Sequence, residues 1–253
     1  MKILGIIPAR YGSTRLPGKA LLKVQGTSII ERVYRRVRLS KSLAGCIVAT
    51  DDVRIFNHVR KFGGDAVMTR ADHASGTTRC AEVIETLRGF EVVVNIQGDE
   101  PLIHPEQIDQ ICALMTRQPD IPIGTLVRRI TDSADLNNPA VAKVVLGDQG
   151  RVLYFSRSAI PFVRDVPMRD WLAQTAFYRH VGMYAYRAGV LRKLGGLSQS
   201  DLERTEKLEQ LNWLFHGFAI HATETTYTSI GVDTPEDLEQ LEKLLAQSAG
   251  QEE

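Results

Sequence analysis

The segment KILGIIPARYGSTRLPGKAL, residues 2–21, joins an apolar run to a loop crowded with charge and glycine. The run is typical of a buried β-strand, and the residues that follow the loop, SIIERVYRRV, have a helical period. From Arg10 to Lys19 the loop holds three cations, two glycines, a proline and the two aliphatic hydroxyls of Ser13 and Thr14. Backbone N–H groups in a strand-to-helix turn of this kind converge on phosphate. The segment therefore predicts a phosphate-binding loop after the first strand.

The loop matches neither of two common phosphate-binding motifs. In the pattern GxxxxGK[ST], the spacing of Gly12 and Gly18 is one residue too long, and Ala20 replaces the hydroxyl that holds magnesium. The pattern GxGxxG is absent as well. The remaining ligands for phosphate are Arg10, Arg15 and Lys19, since arginine offers a bidentate fork and lysine a mobile charge. A solvated basic loop is the alternative, and the position between strand and helix favours phosphate binding.

The rest of the chain predicts an α/β fold with a doubly wound, mostly parallel, Rossmann-like sheet. Through the first half, apolar runs alternate with helical stretches, as in βαβ units. These segments are KILGIIPA, SIIERVYRRV, GCIVATDD, VRIFNHVRKF, DAVMT, TRCAEVIETL, VVVNIQGD and PEQIDQICALM. The second half predicts an antiparallel extension from PIGTLVRRI, AKVVLG, RVLYFSR and HVGMYAYR, followed by helices in EKLEQLNWLFHG and PEDLEQLEKLLAQ. We expect one domain, because no linker or repeat interrupts the chain.

Composition narrows the classes of protein to which the chain can belong. A hydrophobic content of 43% in 253 residues is ordinary for a globular protein, and a net charge of +1 favours neither nucleic acid nor a membrane surface. The cations of residues 32–41 are expected on the solvated face of a helix. The three cysteines form no CxxC pair, and no apolar stretch has the length of a membrane span. We expect a cytoplasmic protein that neither binds nucleic acid nor inserts into a membrane.

Two aspartates are candidate ligands for a divalent cation. Asp99 follows the apolar strand of VVVNIQGDEP, and Asp233 follows a short apolar run in TSIGVDTPEDL. Magnesium is held by one or two carboxylates together with phosphate oxygens and water. Glu100 is an alternative ligand beside Asp99. Asp233 has an equally good structural interpretation, because Thr234 and the residues after it make a helix start without a metal.

Taken together, the motifs resemble those of the CMP-Kdo synthetases, the 3-deoxy-manno-octulosonate cytidylyltransferases of bacterial lipopolysaccharide synthesis. The resemblance is carried, in order along nearly the whole chain, by IIPARYGSTRLPGKAL, TRADHASGTTR, NIQGDEP, YFSRSAIPF, RHVGMYAYR, EKLEQL and GVDTPEDL. It departs from the family in two places. Ala20, Thr27 and Ser28 replace residues common in relatives, and DVPMRDWLAQTAFY, residues 165–178, follows no family pattern.

The resemblance implies a fold, a reaction and partners. The fold is that of a single nucleotidyltransferase domain spanning 1–253, in which 1–120 mainly binds nucleotide, 121–230 mainly binds sugar and dimerises, and 231–253 holds a metal carboxylate and a helix. The sugar hydroxyl attacks the α-phosphate of CTP, giving CMP-Kdo and pyrophosphate. The implied cofactor is Mg²⁺, and the implied assembly is a homodimer.

The resemblance also implies the residues of the site. The catalytic residues are Lys19, Arg15, Asp99 and Asp233, and the two aspartates hold the metal, which settles the choice at Asp233. The CTP-binding residues are Ala9, Arg10, Gly12, Ser13, Arg15, Lys19, Arg70, Asp72, His73, Ser75, Gly76, Arg79 and Gln97; those of residues 70–79 complement the donor and acceptors of cytosine. The sugar-binding residues are Gln97, Arg157, His180, Tyr184, Glu209 and Gln210.

Several alternatives remain at this stage. Arg164 is an alternative to Arg157 as the partner of the sugar carboxylate. Glu209 and Gln210 are alternatively solvated residues beside a helical stripe of Leu208, Leu211 and Leu214. A synthetase for CMP-sialic or another nonulosonic acid uses the same chemistry, a capsule-dedicated enzyme shares the same residues, and a non-catalytic nucleotide-binding module is the alternative of a different class.

Overall fold

The structure, a computed structural model, describes residues 1–12 and 16–249. The chain divides into two compact units. The first consists of Met1–Asp109 and Thr228–Glu253, and the second of Gln110–Tyr227. The first unit is therefore discontinuous in sequence, and the second is inserted between its two parts. The single domain expected over 1–253, with its parts 1–120, 121–230 and 231–253, stays a prediction.

The first unit is a parallel sheet with helical crossovers. Its strands are β1 (Ile3–Ala9), β2 (Lys23–Val24), β3 (Thr27–Ser28), β4 (Gly45–Thr50), β5 (Ala66–Met68) and β6 (Val92–Asn95). Strands β5, β4, β1 and β6 are neighbours in that order and all pair in parallel, whereas β2 and β3 form a small antiparallel hairpin. Burial on consecutive positions of β1 and β6 agrees with a sheet covered on both faces. The predicted doubly wound α/β arrangement is confirmed.

The crossover helices follow the predicted segments. They are α1 (Ile29–Val37), α2 (Val53–Lys61), α3 (Gly76–Thr86) and α4 (Pro105–Arg117). Helix α1 begins where the hydroxyl of Ser28 accepts a hydrogen bond from the backbone N–H of Glu31 at 3.2 Å. Its apolar residues are fully buried, as predicted; they are Ile29, Ile30, Val33 and Val37. Of its predicted solvated cations, Arg32 and Arg36 instead donate to backbone carbonyls of Val24 and Ile103.

The second unit is mostly antiparallel, as predicted. Its strands are β7 (Ile123–Arg129), β8 (Lys143–Leu146), β9 (Val152–Ser156), β10 (Tyr178–Arg187) and β11 (Ile220–Glu224). Strand β10 pairs antiparallel with β7 and β8, and β8 pairs antiparallel with β9. Strand β11, which the sequence pattern did not reveal, runs parallel to β7.

Short helices connect the strands of the second unit. They are α5 (Ser133–Asn137), α6 (Trp171–Gln174), α7 (Ala188–Leu194), α8 (Asp201–Glu206) and α9 (Glu209–Phe215). The helix predicted in EKLEQLNWLFHG is α9, which begins only at Glu209, whereas Glu206 ends α8. Lys207 takes a left-handed conformation with φ of 54°, which ends α8 before α9 begins. The break separates Glu206 from the start of α9 at Glu209.

Residues 165–178, which match no family pattern, contribute an apolar cluster to the second unit. Trp171 and Phe177 are both buried and their rings stack with centroids 6.0 Å apart. Ile130 and Leu136 complete the buried cluster. The segment thus has a packing role that the family motifs do not indicate.

The first unit is completed by α10 (Pro235–Ala249), the predicted amphipathic helix. Leu241 of this helix is fully buried with Val24, Ile29 and Val232. The cluster joins the hairpin, α1 and the segment that precedes α10, although these are far apart in sequence. Within the described residues, no helix is long and apolar enough to cross a bilayer.

We expect Leu241→Ala to lower the free energy of unfolding by about 3 kcal/mol, since it removes buried methyl groups and leaves a cavity. Leu39→Ala is the control, because Leu39 is 65% exposed and its loss should cost less than about 0.5 kcal/mol. Urea unfolding followed by circular dichroism measures both. Equal values for the two variants would show that α10 contributes no core packing.

Candidate active site

A cleft of about 300 Å³ opens in the first unit beside the carboxyl ends of β1 and β6. Many of the predicted nucleotide-binding residues line it; they are Ala9, Arg10, Lys19, His73, Ser75, Gly76, Arg79 and Gln97. The two predicted metal ligands, Asp99 and Asp233, line it as well. Sequence reasoning missed Pro8, Ala20, Ala74 and Gly98 in its wall. Pockets at this edge of a parallel sheet are where such folds bind ligands.

Some predicted nucleotide-binding residues lie elsewhere. Gly12, Arg70 and Asp72 are exposed and do not line the cleft. The side chains of Arg70 and Asp72 pair with each other, with Nε and Oδ1 3.3 Å apart. Ser13 and Arg15 lie outside the described residues, so their predicted roles stay predictions.

Lys19 joins the two candidate metal ligands. Its Nζ donates to Asp99 Oδ2 at 2.7 Å and to Asp233 Oδ1 at 2.8 Å. Burial by itself would lower the pKa of Lys19, but the two carboxylates outweigh burial and raise that pKa above its ordinary value. The ammonium group is therefore charged at neutral pH. Two carboxylates held this close form an oxygen donor set of the kind that binds Mg²⁺.

The side chain of Asp233 is not needed for the helix start beside it. Asp237 Oδ2 accepts hydrogen bonds from the backbone N–H groups of Asp233 and Thr234, at 2.9 and 2.8 Å, and the Thr234 hydroxyl accepts one from Asp237 N at 3.3 Å. This is a reciprocal N-terminal cap. Both interpretations of the sequence are therefore compatible, since Thr234 and Asp237 cap α10 while the Asp233 carboxylate reaches Lys19.

Glu100, the alternative metal ligand, is chemically different from its neighbour. Burial, with a smaller contribution from Asp99, raises the pKa of Glu100 to about 7, against the opposing effect of a hydrogen bond with Ser229. Glu100 does not line the cleft. A carboxyl that is partly protonated at neutral pH is a weaker ligand for a cation than the ionised form.

A backbone hydrogen bond joins Gly18 to Tyr11 in the predicted phosphate-binding loop. Gly18 N donates to Tyr11 O at 3.0 Å. Gly18 has φ of 69°, and a Cβ there would lie 3.1 Å from the Tyr11 ring, so the position requires glycine. The guanidinium of Arg54 stacks on the Tyr11 ring, 3.3 Å from the ring centroid. Lys19 is the next residue after Gly18, so this hydrogen bond helps to fix where the lysine begins.

A second glycine allows close approach of backbone at the cleft. A Cβ on Gly98 would lie 2.8 Å from the carbonyl oxygen of Pro8, which is too close for any side chain. Gly98 separates Gln97 from Asp99, and all three line the cleft. The position therefore fixes how the chain leaves β6 and delivers the Asp99 carboxylate.

The motif TRADHASGTTR, residues 69–79, forms a loop and the first turn of α3. Ser75 caps the helix, because its hydroxyl accepts from Thr78 N and Thr78 Oγ1 accepts from Ser75 N, both at 3.3 Å. Gly76 packs close to Pro8, where a Cβ would lie 3.0 Å from the proline ring. The capped start of α3 thus lies against the end of β1.

Two charged residues of α3 hold this loop. Arg79 is 4% exposed and donates from Nη1 to Thr69 Oγ1 at 2.5 Å. Glu82 accepts hydrogen bonds from His73 Nε2 and, at 3.2 Å, from the backbone N–H of Arg70. Burial would raise the pKa of Glu82, but the contacts with His73 and Arg70 outweigh burial and lower that pKa. Glu82 was missed from the sequence, although its place three residues after Arg79 on one helix puts both on the same face.

The predicted sugar-binding residues belong to the second unit, apart from Gln97. His180 and Tyr184 lie on the same face of β10, as predicted, and a bulge between Val181 and Tyr184 brings their ring centroids to 5.1 Å. The Thr125 hydroxyl donates to Met183 O at 2.9 Å, so it can only accept from His180 Nε2, 3.0 Å away. His180 Nδ1 is then the acceptor of the neutral ring. Burial lowers the pKa of His180 to about 3.

The side chain of Arg157 is held by backbone carbonyls. Its Nε donates to Glu206 O at 2.6 Å and its Nη1 to Pro139 O at 2.9 Å. The Glu206 carboxylate accepts from Arg157 N at 2.8 Å. Nη2 donates to Lys207 O at 3.3 Å, so every nitrogen of the guanidinium contacts a backbone carbonyl and the residue has a structural role. The alternative, Arg164, is 88% exposed and pairs with Asp165.

Helix α9 presents its two predicted sugar-binding residues differently. Gln210 is buried at 5% exposure, which contradicts the alternative of a solvated side chain, whereas Glu209 is partly exposed. Leu208 and Leu211 are buried as the predicted stripe requires, and Leu214 is partly exposed. The predicted sugar-binding role of Gln210 remains a prediction.

Comparison with known proteins identifies the family. The family model described as cytidylyltransferase matches residues 4–250. The 3-deoxy-manno-octulosonate cytidylyltransferase of Cytophaga hutchinsonii is 45% identical over 94% of this chain and 95% of its own. That of Parabacteroides distasonis is 48% identical over 97% and 99%. The chain belongs to the 3-deoxy-manno-octulosonate cytidylyltransferase family.

The fold of this cytidylyltransferase agrees with that of a solved relative. A structure of CMP:2-keto-3-deoxy-manno-octonic acid synthetase complexed with CTP superposes with a TM-score of 0.92 at 40% identity, covering 98% of this chain and 100% of that one. The predicted family resemblance and the predicted nucleotidyltransferase fold are confirmed. The chain is a nucleotidyltransferase, so the alternative of a non-catalytic module is wrong.

Because burial keeps His180 neutral in the folded state, acid should destabilise this cytidylyltransferase. Between the ordinary histidine pKa of about 6.5 and the folded value of about 3, the unfolded state binds more protons, so stability falls as pH falls through this range. From pH 7 to pH 5 the contribution is about 2 kcal/mol. The variant His180→Gln has no imidazole at this position and should lose this contribution to the pH dependence of stability. Urea unfolding at pH 7 and at pH 5 measures the free energy of unfolding of both proteins.

His216→Asn is the control for this prediction, since His216 is exposed. That variant should keep the pH dependence of the unmodified protein. If His180→Gln also keeps the full pH dependence of the free energy of unfolding, the prediction that burial prevents protonation of His180 is wrong.

Proposed function

We propose that the chain transfers CMP from CTP to Kdo and releases pyrophosphate. The observation that carries the proposal is the contact of Lys19 with both Asp99 and Asp233, inside a cleft lined by the predicted CTP-binding residues. The names of the similar proteins support Kdo as the acceptor. The product is a precursor for lipopolysaccharide, and we propose that the enzyme works in the cytoplasm as a homodimer.

The side chains of the cleft suit in-line transfer at a phosphate. Such reactions depend on positioning and on neutralising charge at the phosphoryl oxygens. Lys19 is charged because its carboxylate partners raise its pKa, and Arg10 supplies a second cation in the same cleft. Both stabilise the charge that develops on the α-phosphate and the departing pyrophosphate. Arg15 is proposed to share this task.

Asp99 and Asp233 are proposed to hold Mg²⁺. Their side chains already approach a single cationic group, the Lys19 ammonium, and carboxylate oxygens are the ligands that Mg²⁺ prefers. When bound, the ion supplies charge neutralisation and a lower pKa for a coordinated hydroxyl. In its absence, Lys19 keeps the two negative charges from repelling each other.

The acceptor is proposed to contact residues of the second unit. His180 offers Nδ1 as a hydrogen-bond acceptor, because its Nε2 is committed to Thr125. Tyr184, Gln210 and Glu209 offer groups for the hydroxyls of the sugar, and Arg157 offers a cation for its carboxylate. Sialic and other nonulosonic acids share these groups, so the choice of acceptor is tested by experiment.

The test is pyrophosphate release with Mg²⁺ and each of the four common ribonucleoside triphosphates, combined with Kdo, N-acetylneuraminic acid or no acceptor. We expect release only with CTP and Kdo. Release with CTP and N-acetylneuraminic acid alone would overturn the acceptor, and release with another nucleotide would overturn the base. No release under any pairing would contradict the proposed reaction as a whole.

The metal-binding carboxylates give a second prediction. Asp99→Asn and Asp233→Asn should each lower kcat/KM at least about a thousandfold, because each removes a charge that holds the ion. Their unfolding midpoints should stay close to that of the unmodified protein, since each leaves Lys19 one carboxylate partner. Asp120→Asn, at an exposed turn, is the control and should keep full activity. Near-normal activity in either aspartate variant would remove that residue from the proposed metal site.

A further inference from the structure

Glu82 connects helix α3 to the loop that precedes it. Its side chain is 24% exposed and accepts a hydrogen bond from His73 Nε2, whose ring is only 5% exposed. Both carboxylate oxygens also lie within reach of the backbone N–H of Arg70, at 3.2 and 3.3 Å. Glu82 lies outside the family motifs and does not line the cleft. Its contacts fall on the loop that is predicted to bind the base.

Arg79 holds the same loop from the other side. Its Nη1 donates to Arg70 O at 3.3 Å and to Thr69 Oγ1. The N–H and the C=O of residue 70 are therefore both bound to side chains of one helix. Arg79 is anchored in turn by Asp51, whose Oδ1 lies 3.5 Å from Nη1. We call Arg79 and Glu82 the α3 clamp. A loop held by both polar groups of one peptide position is preorganised before any ligand arrives.

The clamp also determines which nitrogen of His73 carries a proton. A carboxylate only accepts hydrogen bonds, so His73 Nε2 must be the donor in its contact with Glu82. In the neutral ring, Nδ1 is then an acceptor. His73 lines the cleft, so this nitrogen is the polar group that the ring has left for a ligand.

An acceptor at this position distinguishes pyrimidines by the group on carbon 4. Cytosine carries an amino group there and donates, whereas uracil carries a carbonyl oxygen and only accepts. An acceptor nitrogen would bind the first and face an unpaired oxygen in the second. Leaving polar groups unpaired is how a site rejects a close analogue.

We propose that Glu82 is a positioning residue that fixes His73 with Nδ1 as an acceptor, so that the cleft selects a 4-aminopyrimidine nucleotide over a 4-oxopyrimidine nucleotide. This inference rests on the proposed function, since the base concerned is that of CTP. It adds a specificity determinant, the pair of Glu82 and His73, that acts through the tautomer of one ring.

The first test examines the tautomer directly. In protein labelled with ¹⁵N at histidine, long-range ¹H–¹⁵N correlation spectra at pH 8 distinguish rings protonated at Nε2 from those protonated at Nδ1. Of the six histidines, the signal of His73 is assigned by its loss in His73→Asn. We expect protonation at Nε2 in the unmodified protein and a mixture of tautomers in Glu82→Ala. Protonation at Nδ1 in the unmodified protein would overturn the proposal.

The second test measures selectivity as the ratio of the affinities for CTP and UTP, by titration calorimetry without acceptor. Glu82→Ala should lower this ratio about tenfold, which corresponds to about 1.4 kcal/mol. Glu82→Gln keeps an acceptor oxygen of the same reach, so its ratio should stay within about threefold of the unmodified value. Glu85→Ala is the matched control, because Glu85 is an exposed carboxylate of the same helix.

The outcomes separate this inference from the proposed function. A purely structural role for Glu82 would weaken both nucleotides equally and leave the ratio unchanged, which would overturn the proposal. An equal fall of the ratio in Glu85→Ala would overturn it as well. If Glu82→Ala does not fold, the tautomer of His73 in the unmodified protein decides. Absence of CMP transfer to Kdo would contradict the proposed function and leave these binding and spectroscopic results readable.

Discussion

The contact of one ammonium group with two carboxylates organises the cleft. Lys19 ends the predicted phosphate-binding loop, Asp99 follows β6, and Asp233 precedes α10, so three separate segments meet at a single charge. Two carboxylates near each other repel, and partial burial strengthens the repulsion. The lysine makes their approach possible, and backbone supports it, since Val232 N donates to Asp99 O at 2.8 Å. Sites for polyvalent anions and their cations require such balanced charge.

The sequence predicts the first unit well because its elements are governed by local rules. Apolar runs on consecutive positions become the buried parallel strands, and the last helix begins where Thr234 indicates. The second unit is harder to predict. Its helices are short, one break depends on a left-handed Lys207, and the parallel partner of β7 carries little apolar pattern. These features depend on packing and backbone conformation that residue patterns do not encode.

The candidate site also has residues that the sequence pattern selects and residues that it does not. Lys19 and Asp99 could be selected from charge and position, and Asp233 only with the help of the family resemblance; the three side chains do converge. The residues that hold the two histidines could not be selected in this way. Thr125 contacts His180, which is distant in sequence, and Glu82 contacts His73 in the loop before α3. In each case one ring nitrogen is committed to the protein. Patterns of residue type identify the histidine but not the orientation of its proton.

The discontinuity of the first unit affects the order in which the site is completed. The lysine and Asp99 both precede the inserted second unit, whereas Asp233 follows it. A ribosome therefore synthesises the phosphate-binding loop and its strands long before it supplies the second carboxylate. Until then Lys19 has only one of its two carboxylate partners, Asp99. Complete assembly of the charge balance around Lys19 therefore has to wait for translation to pass through the whole insertion.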